Sequence, residues 1–175
     1  AAGRGRDAGL IAVAGMVLGN GLITLPLSRL AYRWAKARNA RAFAMLAFWC
    51  TLASVGNLID YVPIRTFTME SDMGSVRKAF DWSPWTIMIV LGIPTLIILG
   101  DFLLRIVPAT MAWLFPGNPA RRIGIAVLAM AALFGFYGMV GFLEGGPVAR
   151  LLSQLSLFAV IPAASLLQIA LLKRR

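Results

Sequence analysis

Five apolar stretches constrain this chain more than any other feature of its sequence. They cover residues 10–30, 42–59, 85–107, 123–143 and 151–172. A helix of about 20 residues, rising about 1.5 Å per residue, crosses the roughly 30 Å of hydrocarbon in a bilayer. Each stretch must be helical in lipid, because backbone groups there have no water to bond. The sequence therefore predicts an all-α, polytopic integral membrane protein with about five transmembrane helices in a single membrane domain.

The composition excludes three other classes of protein. Hydrophobic residues make up 59% of the 175 residues and charged residues only 14%, which is too apolar for a water-soluble domain or a disordered chain. The one cysteine, Cys50, cannot form a disulfide within the chain, so a disulfide scaffold is excluded as well. We expect the lipid bilayer to be the main partner of the chain.

The basic residues predict which end of the protein faces the cytoplasm. The formal net charge is +10, and Lys and Arg cluster between the apolar stretches at residues 29–41, 121–122 and 173–175. Cytoplasmic loops of membrane proteins carry such an excess, so the C-terminus is predicted to be cytoplasmic and residues 60–84 to form a non-cytoplasmic interfacial loop. No basic segment is interleaved with exposed aromatic residues, so we expect no nucleic acid partner.

The chain contains no histidine, and this absence limits its chemistry. Histidine is the commonest metal ligand and the commonest general base at neutral pH. Cys50 is predicted to be an inert apolar residue buried in the second span. The chain as it stands therefore lacks a complete active site, and we expect no cofactor.

We single out four polar residues on the predicted spans, because the cost of placing a polar side chain in lipid makes each a candidate for function. The amide of Asn20 is predicted to bridge two helices. Asp101 and Arg105 are four residues apart and share one helix face, so they are predicted to form an ion pair, with a proton or ion pathway as the alternative. The fourth residue is Asn57, near the end of the second span.

Glycines at regular spacing predict close packing of helices. Gly15 and Gly19 form a GxxxG pair on the first span, and small residues at this spacing let two helices approach closely. On the fourth span Gly135, Gly138 and Gly141 recur every three residues and form one groove. The helix that fills this groove belongs either to this chain or to another subunit.

The segment between the second and third spans is predicted to be an interfacial loop. Asp60 and Arg65 are expected to pair, and Pro63 between them to impose a rigid extended step. Trp82 and Trp85 suit the membrane–water boundary just before the third span.

Two motifs carry a resemblance to a known family. One is the glycine- and asparagine-containing segment at residues 15–20, and the other combines Asn57-Leu58, Pro63-Ile64 and Asp72-Met73-Gly74. On these motifs, residues 9–80 resemble the C-terminal portion of intramembrane zinc metalloproteases of the site-2-protease type. The resemblance implies that Asp72 corresponds to the metal-binding aspartate of that family. The HExxH helix, which supplies two histidine ligands and a glutamate base in the family, is not in this sequence.

Three functions are therefore open. The chain is expected to be a non-catalytic integral membrane protein that packs as a subunit in a larger membrane complex. The alternative is a C-terminal fragment or degenerate relative of an intramembrane metalloprotease, whose HExxH segment would lie upstream. The chain begins with Ala1 and no initiator methionine, so we expect an upstream segment to be missing. A small transporter is the third hypothesis, and it depends on Asp101 and Arg105.

Overall fold

A computed structural model describes the backbone of residues 2–68, 71–144 and 146–174, and the side chains of the same residues except 2–6 and 144. Within this part of the chain six helices follow one another. They are α1 (Asp7–Ala37, with helical backbone already from Ala2), α2 (Arg41–Phe67), α3 (Asp72–Phe80), α4 (Pro84–Leu114), α5 (Pro119–Leu143, with a turn at residues 137–139) and α6 (Pro147–Lys173).

All of these helices except α3 are long and apolar enough to cross a membrane. This confirms the prediction of an all-α, multi-pass architecture. The helices extend beyond the predicted spans, most of all at the ends of α1, α2 and α4. The spans were delimited by apolar composition, whereas the hydrogen bonds of a helix continue past the point where the side chains become charged.

The predicted loop at residues 60–84 is largely helical. Pro63 does not impose an extended step, because it lies inside the last turns of α2, which widen to a π-helix at residues 60–64. Asp72 opens α3, and the Ser71 side chain caps this helix by accepting a hydrogen bond from the Gly74 N–H at 3.1 Å. The helix ends at Asp81, which adopts the left-handed conformation with φ of 53°.

Wide π-helical turns precede four of the prolines in the long helices. These segments are residues 14–24, 88–92, 102–106 and 156–160, and each ends two residues before a proline, namely Pro26, Pro94, Pro108 and Pro162. Proline lacks an N–H and its ring crowds the preceding turn. A wider turn relieves that crowding and keeps the helix continuous through the proline.

The helices pack mainly as antiparallel neighbours. The second half of α1 packs along α2, the start of α1 packs against α3, and the end of α6 packs against the start of α5. The main core lies between α2, α4, α5 and α6, where Phe48 stacks on Phe102 with ring centroids 5.8 Å apart. Cys50 lies outside this core on the exposed surface of α2, so the prediction that it is buried is wrong.

Candidate functional site

Asp101 of α4 forms the polar centre of the bundle. Its carboxylate pairs with the guanidinium of Arg29 on α1 and lies 3.7 Å from Arg105, one turn further along α4. The structure therefore places the predicted partner Arg105 next to Asp101 and adds a second, closer cation. Arg29 and Asp101 are 72 residues apart in the sequence and lie on different helices. Their ion pair therefore holds α1 against α4.

A cavity of about 280 Å³ opens beside this centre, between α1, α2 and α4. Four basic residues line it: Arg29, Arg33 and Lys36 from α1, and Arg105 from α4. The first three follow a spacing of four and three residues, which places them on one face of the helix. We refer to this space as the cationic cavity.

Three hydroxyl groups also line the cationic cavity. The Thr51 hydroxyl donates to the Ala47 carbonyl at 2.9 Å. The hydroxyls of Tyr32 and Thr110 are both buried, and neither has a hydrogen-bond partner among the described residues. Thr110 is 1% exposed. Buried hydroxyls are nearly always bonded in proteins, so these two unsatisfied groups at the wall of the cavity are unusual.

The cavity belongs to the end of the molecule at which α1, α4 and α6 end and α2 and α5 begin, which we call the basic end. The three chain segments at this end, residues 29–41, 105–122 and 173–175, contain eleven of the 17 basic residues and no acidic residue. Aromatic side chains accompany the charges, with Lys36 Nζ 5.9 Å from the Trp113 ring and Arg38 4.4 Å from the Trp34 ring. This combination is typical of a membrane–water boundary.

The opposite end carries a second polar network. Asp60 Oδ2 and Arg65 Nε are 3.0 Å apart, as predicted for this pair, and both side chains are mostly buried. The Arg65 guanidinium also lies 5.1 Å from the Tyr61 ring, and the Tyr61 hydroxyl interacts with the Asp72 carboxylate. The network ties the last turns of α2 to the start of α3.

This network does not form a zinc site. No group of three His, Cys, Asp or Glu residues that could hold a metal is present in residues 2–68, 71–144 and 146–174. Asp72, the residue implied as a ligand by the family resemblance, is exposed and interacts with a phenol. Zinc in a hydrolytic site needs three protein ligands and an open position, and the residues near Asp72 do not supply them.

Two amide side chains bridge helices within the bundle. Asn20 Nδ2 donates to the Ser54 carbonyl of α2 at 2.8 Å, as its predicted role requires. Gln168 of α6, which is fully buried, donates to the Leu103 carbonyl of α4 at 2.8 Å. Asn57 is half-buried on α2, one turn before Asp60.

The predicted glycines divide into packed and open positions. A Cβ added at Gly138 would meet the Ser156 hydroxyl at 2.0 Å, and one at Gly141 would meet the Ala149 carbonyl oxygen at 2.2 Å, so both contact α6 of the same chain. At Gly135 the nearest atom, in Ile161, is 3.7 Å away. Gly15 has no such atom within 4 Å, and for Gly19 the nearest is a carbonyl of its own helix at 4.0 Å.

The predicted boundary tryptophans lie at the start of α4. Trp85 is 68% exposed and packs edge-on against Phe67, with ring centroids 5.6 Å apart. Trp82 precedes the helix and packs against Phe80 at 5.7 Å. Their position at the end opposite the basic end gives the bundle aromatic residues at both boundaries.

Sequence reasoning missed the cationic cavity and its hydroxyls. Arg33 and Lys36 fall in a predicted loop and Arg29 at the end of the first predicted span, although the spacing of the three residues indicates one helix face. Nothing in the sequence indicated that Thr110 would face them, because that contact depends on how α4 packs against α1.

Comparison with models of protein families, with curated proteins and with solved structures finds no match to this chain.

Proposed function

We propose that this chain is a non-catalytic integral membrane protein that packs as a subunit in a larger membrane complex, with the lipid bilayer and other membrane subunits as its partners. The main observation in support of this proposal is the open face of α1 around Gly15 and Gly19. The neighbours of these glycines, Leu18, Leu22 and Ile23, are 52%, 63% and 54% exposed. This face is apolar, largely exposed, and shaped by glycine.

Comparison with the other glycines supports this reading. Gly56, Gly138 and Gly141 each have a close neighbour in another helix, which explains why no larger residue stands there. A glycine inside a helix is less favourable than alanine by about 1 kcal/mol in free energy of folding. At Gly15 and Gly19 no close contact with another helix of the described chain compensates for this cost. Small residues four apart let the backbone of a second helix approach, so a helix of another subunit is the partner that this face suits.

Crosslinking in intact membranes tests this proposal. A photoreactive amino acid at Leu18 is expected to give an adduct of discrete mass with another membrane protein. The adduct should disappear in the double variant Gly15→Leu/Gly19→Leu and persist in Gly124→Leu, an equally open glycine on α5. The same photoreactive residue at Leu166, which is 66% exposed on α6, serves as the control position. A monomeric protein that carries stoichiometric zinc and gives no adduct from Leu18 would contradict the proposal.

The C-terminus is proposed to be cytoplasmic. The support is the accumulation of eleven basic residues at the basic end, which also contains the end of α6. In a Cys50→Ser background, cysteine at Lys173 should react with an impermeant maleimide only after the cells are opened. Cysteine at Ser83 should react in intact cells. The reverse pattern would show the opposite orientation.

A second function, the remnant of an intramembrane metalloprotease, has one observation in its favour. The two segments that carry the family resemblance lie in one apolar cluster, in which Met16 packs with Leu58 and Met73. All histidine ligands would have to come from outside these 175 residues. Reading the encoding gene for an HExxH motif within about 100 codons upstream tests this function, and its absence rejects it.

A further inference from the structure

We propose that the cationic cavity binds the phosphate group of an anionic membrane phospholipid. The chemistry of its walls points to a phosphate. Four basic side chains line a single space, and Tyr32 and Thr110, whose buried hydroxyls have no hydrogen-bond partner among the described residues, line the same space. Arginine, lysine and hydroxyl groups are the usual donors to phosphate oxygens.

The balance of charge around the cavity favours an anion as its ligand. Asp101 is the one carboxylate within 4 Å of any of the four basic residues in the described part of the chain, and it pairs with Arg29 and Arg105. Arg33 and Lys36 have no carboxylate within that distance among the described residues. A guanidinium carries five N–H donors, so Arg29 keeps donors for a ligand after it has bonded to Asp101.

The depth of the cavity indicates that the phosphate arrives as part of a lipid. With the midpoint of α1 placed at the centre of the bilayer, Arg33 lies about 16 Å and Lys36 about 21 Å from that centre, which is the level of the headgroups, since the hydrocarbon extends roughly 15 Å from its centre. Arg29 lies deeper, about 10 Å from the same midpoint. The cavity thus leads from the headgroup level into the edge of the hydrocarbon, and basic pockets between helices at this level are suited to anionic headgroups.

A second, apolar surface adjoins the cavity. A groove of about 480 Å³ shares Arg29 and Arg105 with it, includes Asp101 between them, and continues along Ile97 and Leu104, which are 67% and 51% exposed. An acyl chain can lie along these two residues while the phosphate occupies the cavity. A soluble phosphate compound would leave this groove unused, so the geometry favours a lipid.

Lipid retention, measured by native mass spectrometry of the full chain released from detergent, tests the proposal. Phosphatidylglycerol is expected to bind as one tightly held molecule, with phosphatidylcholine at least tenfold weaker. The variant Arg33→Gln/Lys36→Gln should bind phosphatidylglycerol about tenfold or more weakly, because two cations near the headgroup are lost. The control Lys173→Gln/Arg174→Gln removes the same charge at the same end outside the cavity, and it should bind like the wild type.

A conservative variant separates binding from folding. Thr110→Val keeps the shape of the side chain and removes a hydroxyl without a partner, so the unfolding temperature of the lipid-free protein should not fall. Its affinity for phosphatidylglycerol should fall several-fold. Equal lipid affinity in the wild type, Arg33→Gln/Lys36→Gln and Thr110→Val would overturn the proposal. Displacement of the bound lipid by millimolar inorganic phosphate alone would also overturn it, in favour of a soluble phosphate ligand.

Discussion

At the scale of single residues, Asp101 holds together two cations from two helices. Replacing it with asparagine removes the charge that both Arg29 and Arg105 face. We expect Asp101→Asn to lower the free energy of unfolding by about 2 kcal/mol, because hydrogen bonds to charged groups are among the stronger ones. Arg105→Gln should cost under about 0.5 kcal/mol, since that side chain is 84% exposed and its contact is long. Thermal unfolding in a mild detergent measures both variants.

The variant Asp101→Asn also tests the transporter hypothesis. If Asp101 carries protons or ions across the membrane, Asp101→Asn abolishes a flux in reconstituted vesicles. In the structure Asp101 pairs with Arg29 of α1 and Arg105 of α4, so we expect its role to be holding α1 against α4. An unchanged flux together with a lowered stability would remove the transporter hypothesis.

Gln168 acts where a proline has removed a backbone donor. Leu103 lies five residues before Pro108 in a π-helical segment, so its carbonyl would face the N–H that proline lacks. The Gln168 amide supplies a donor in its place. We expect Gln168→Leu to cost about 1 kcal/mol in the wild type and clearly less in a Pro108→Ala background, because residue 108 then has its own N–H. Equal costs in both backgrounds would contradict this account.

Residue-level reasoning from the sequence recovered those interactions whose partners are close along the chain. The pairs Asp101–Arg105 and Asp60–Arg65 follow from a spacing of four or five residues. The Arg29–Asp101 pair and the Gln168 bond span 72 and 65 residues, so they depend on which helices become neighbours. Hydropathy identifies the helices but carries little information about their neighbours.

At the scale of helices, the groove of three glycines on α5 is not uniform. We expect Gly141→Ala to destabilise the protein by about 2 kcal/mol, because the new Cβ would meet a backbone oxygen that has no freedom to rotate away. Gly124→Ala on the same helix meets no atom within 4 Å and should be neutral or stabilising by up to about 1 kcal/mol. Chemical unfolding of the two variants under identical conditions compares them, and a stabilising Gly141→Ala would contradict the packing of α5 on α6.

Helix boundaries were harder to predict than helix existence. The end of α1 was placed at Leu30 and lies at Ala37, since the charges from Arg33 onward mark where lipid ends and not where the helix ends. Residues 60–67 and 72–80 are helical for reasons outside hydropathy, namely continuation of α2 through Pro63 and the cap provided by Ser71. Serine is a preferred residue at the position just before a helix, so Ser71 was a signal in the sequence for the start of α3.

At the scale of the whole molecule, Cys50 reports whether lipid or water surrounds the bundle. It is exposed on α2, about 6 Å from the midpoint of that helix. Maleimides react with the thiolate, which forms where water reaches the sulfur. We expect Cys50 in a bilayer to resist both water-soluble and apolar maleimides and to react after denaturation in dodecyl sulfate. Rapid labelling of the folded protein by the water-soluble reagent would place water around α2.

The distribution of charge along the bundle has an electrical consequence. If the basic end lies in the cytoplasm, as proposed above, a resting potential that is negative inside holds its cations on the favourable side, since moving one elementary charge through 100 mV changes the energy by about 2.3 kcal/mol. Turning the molecule over would carry many of these cations against the voltage. Depolarising the membrane during synthesis should therefore raise the fraction of inverted molecules, although no residue has changed.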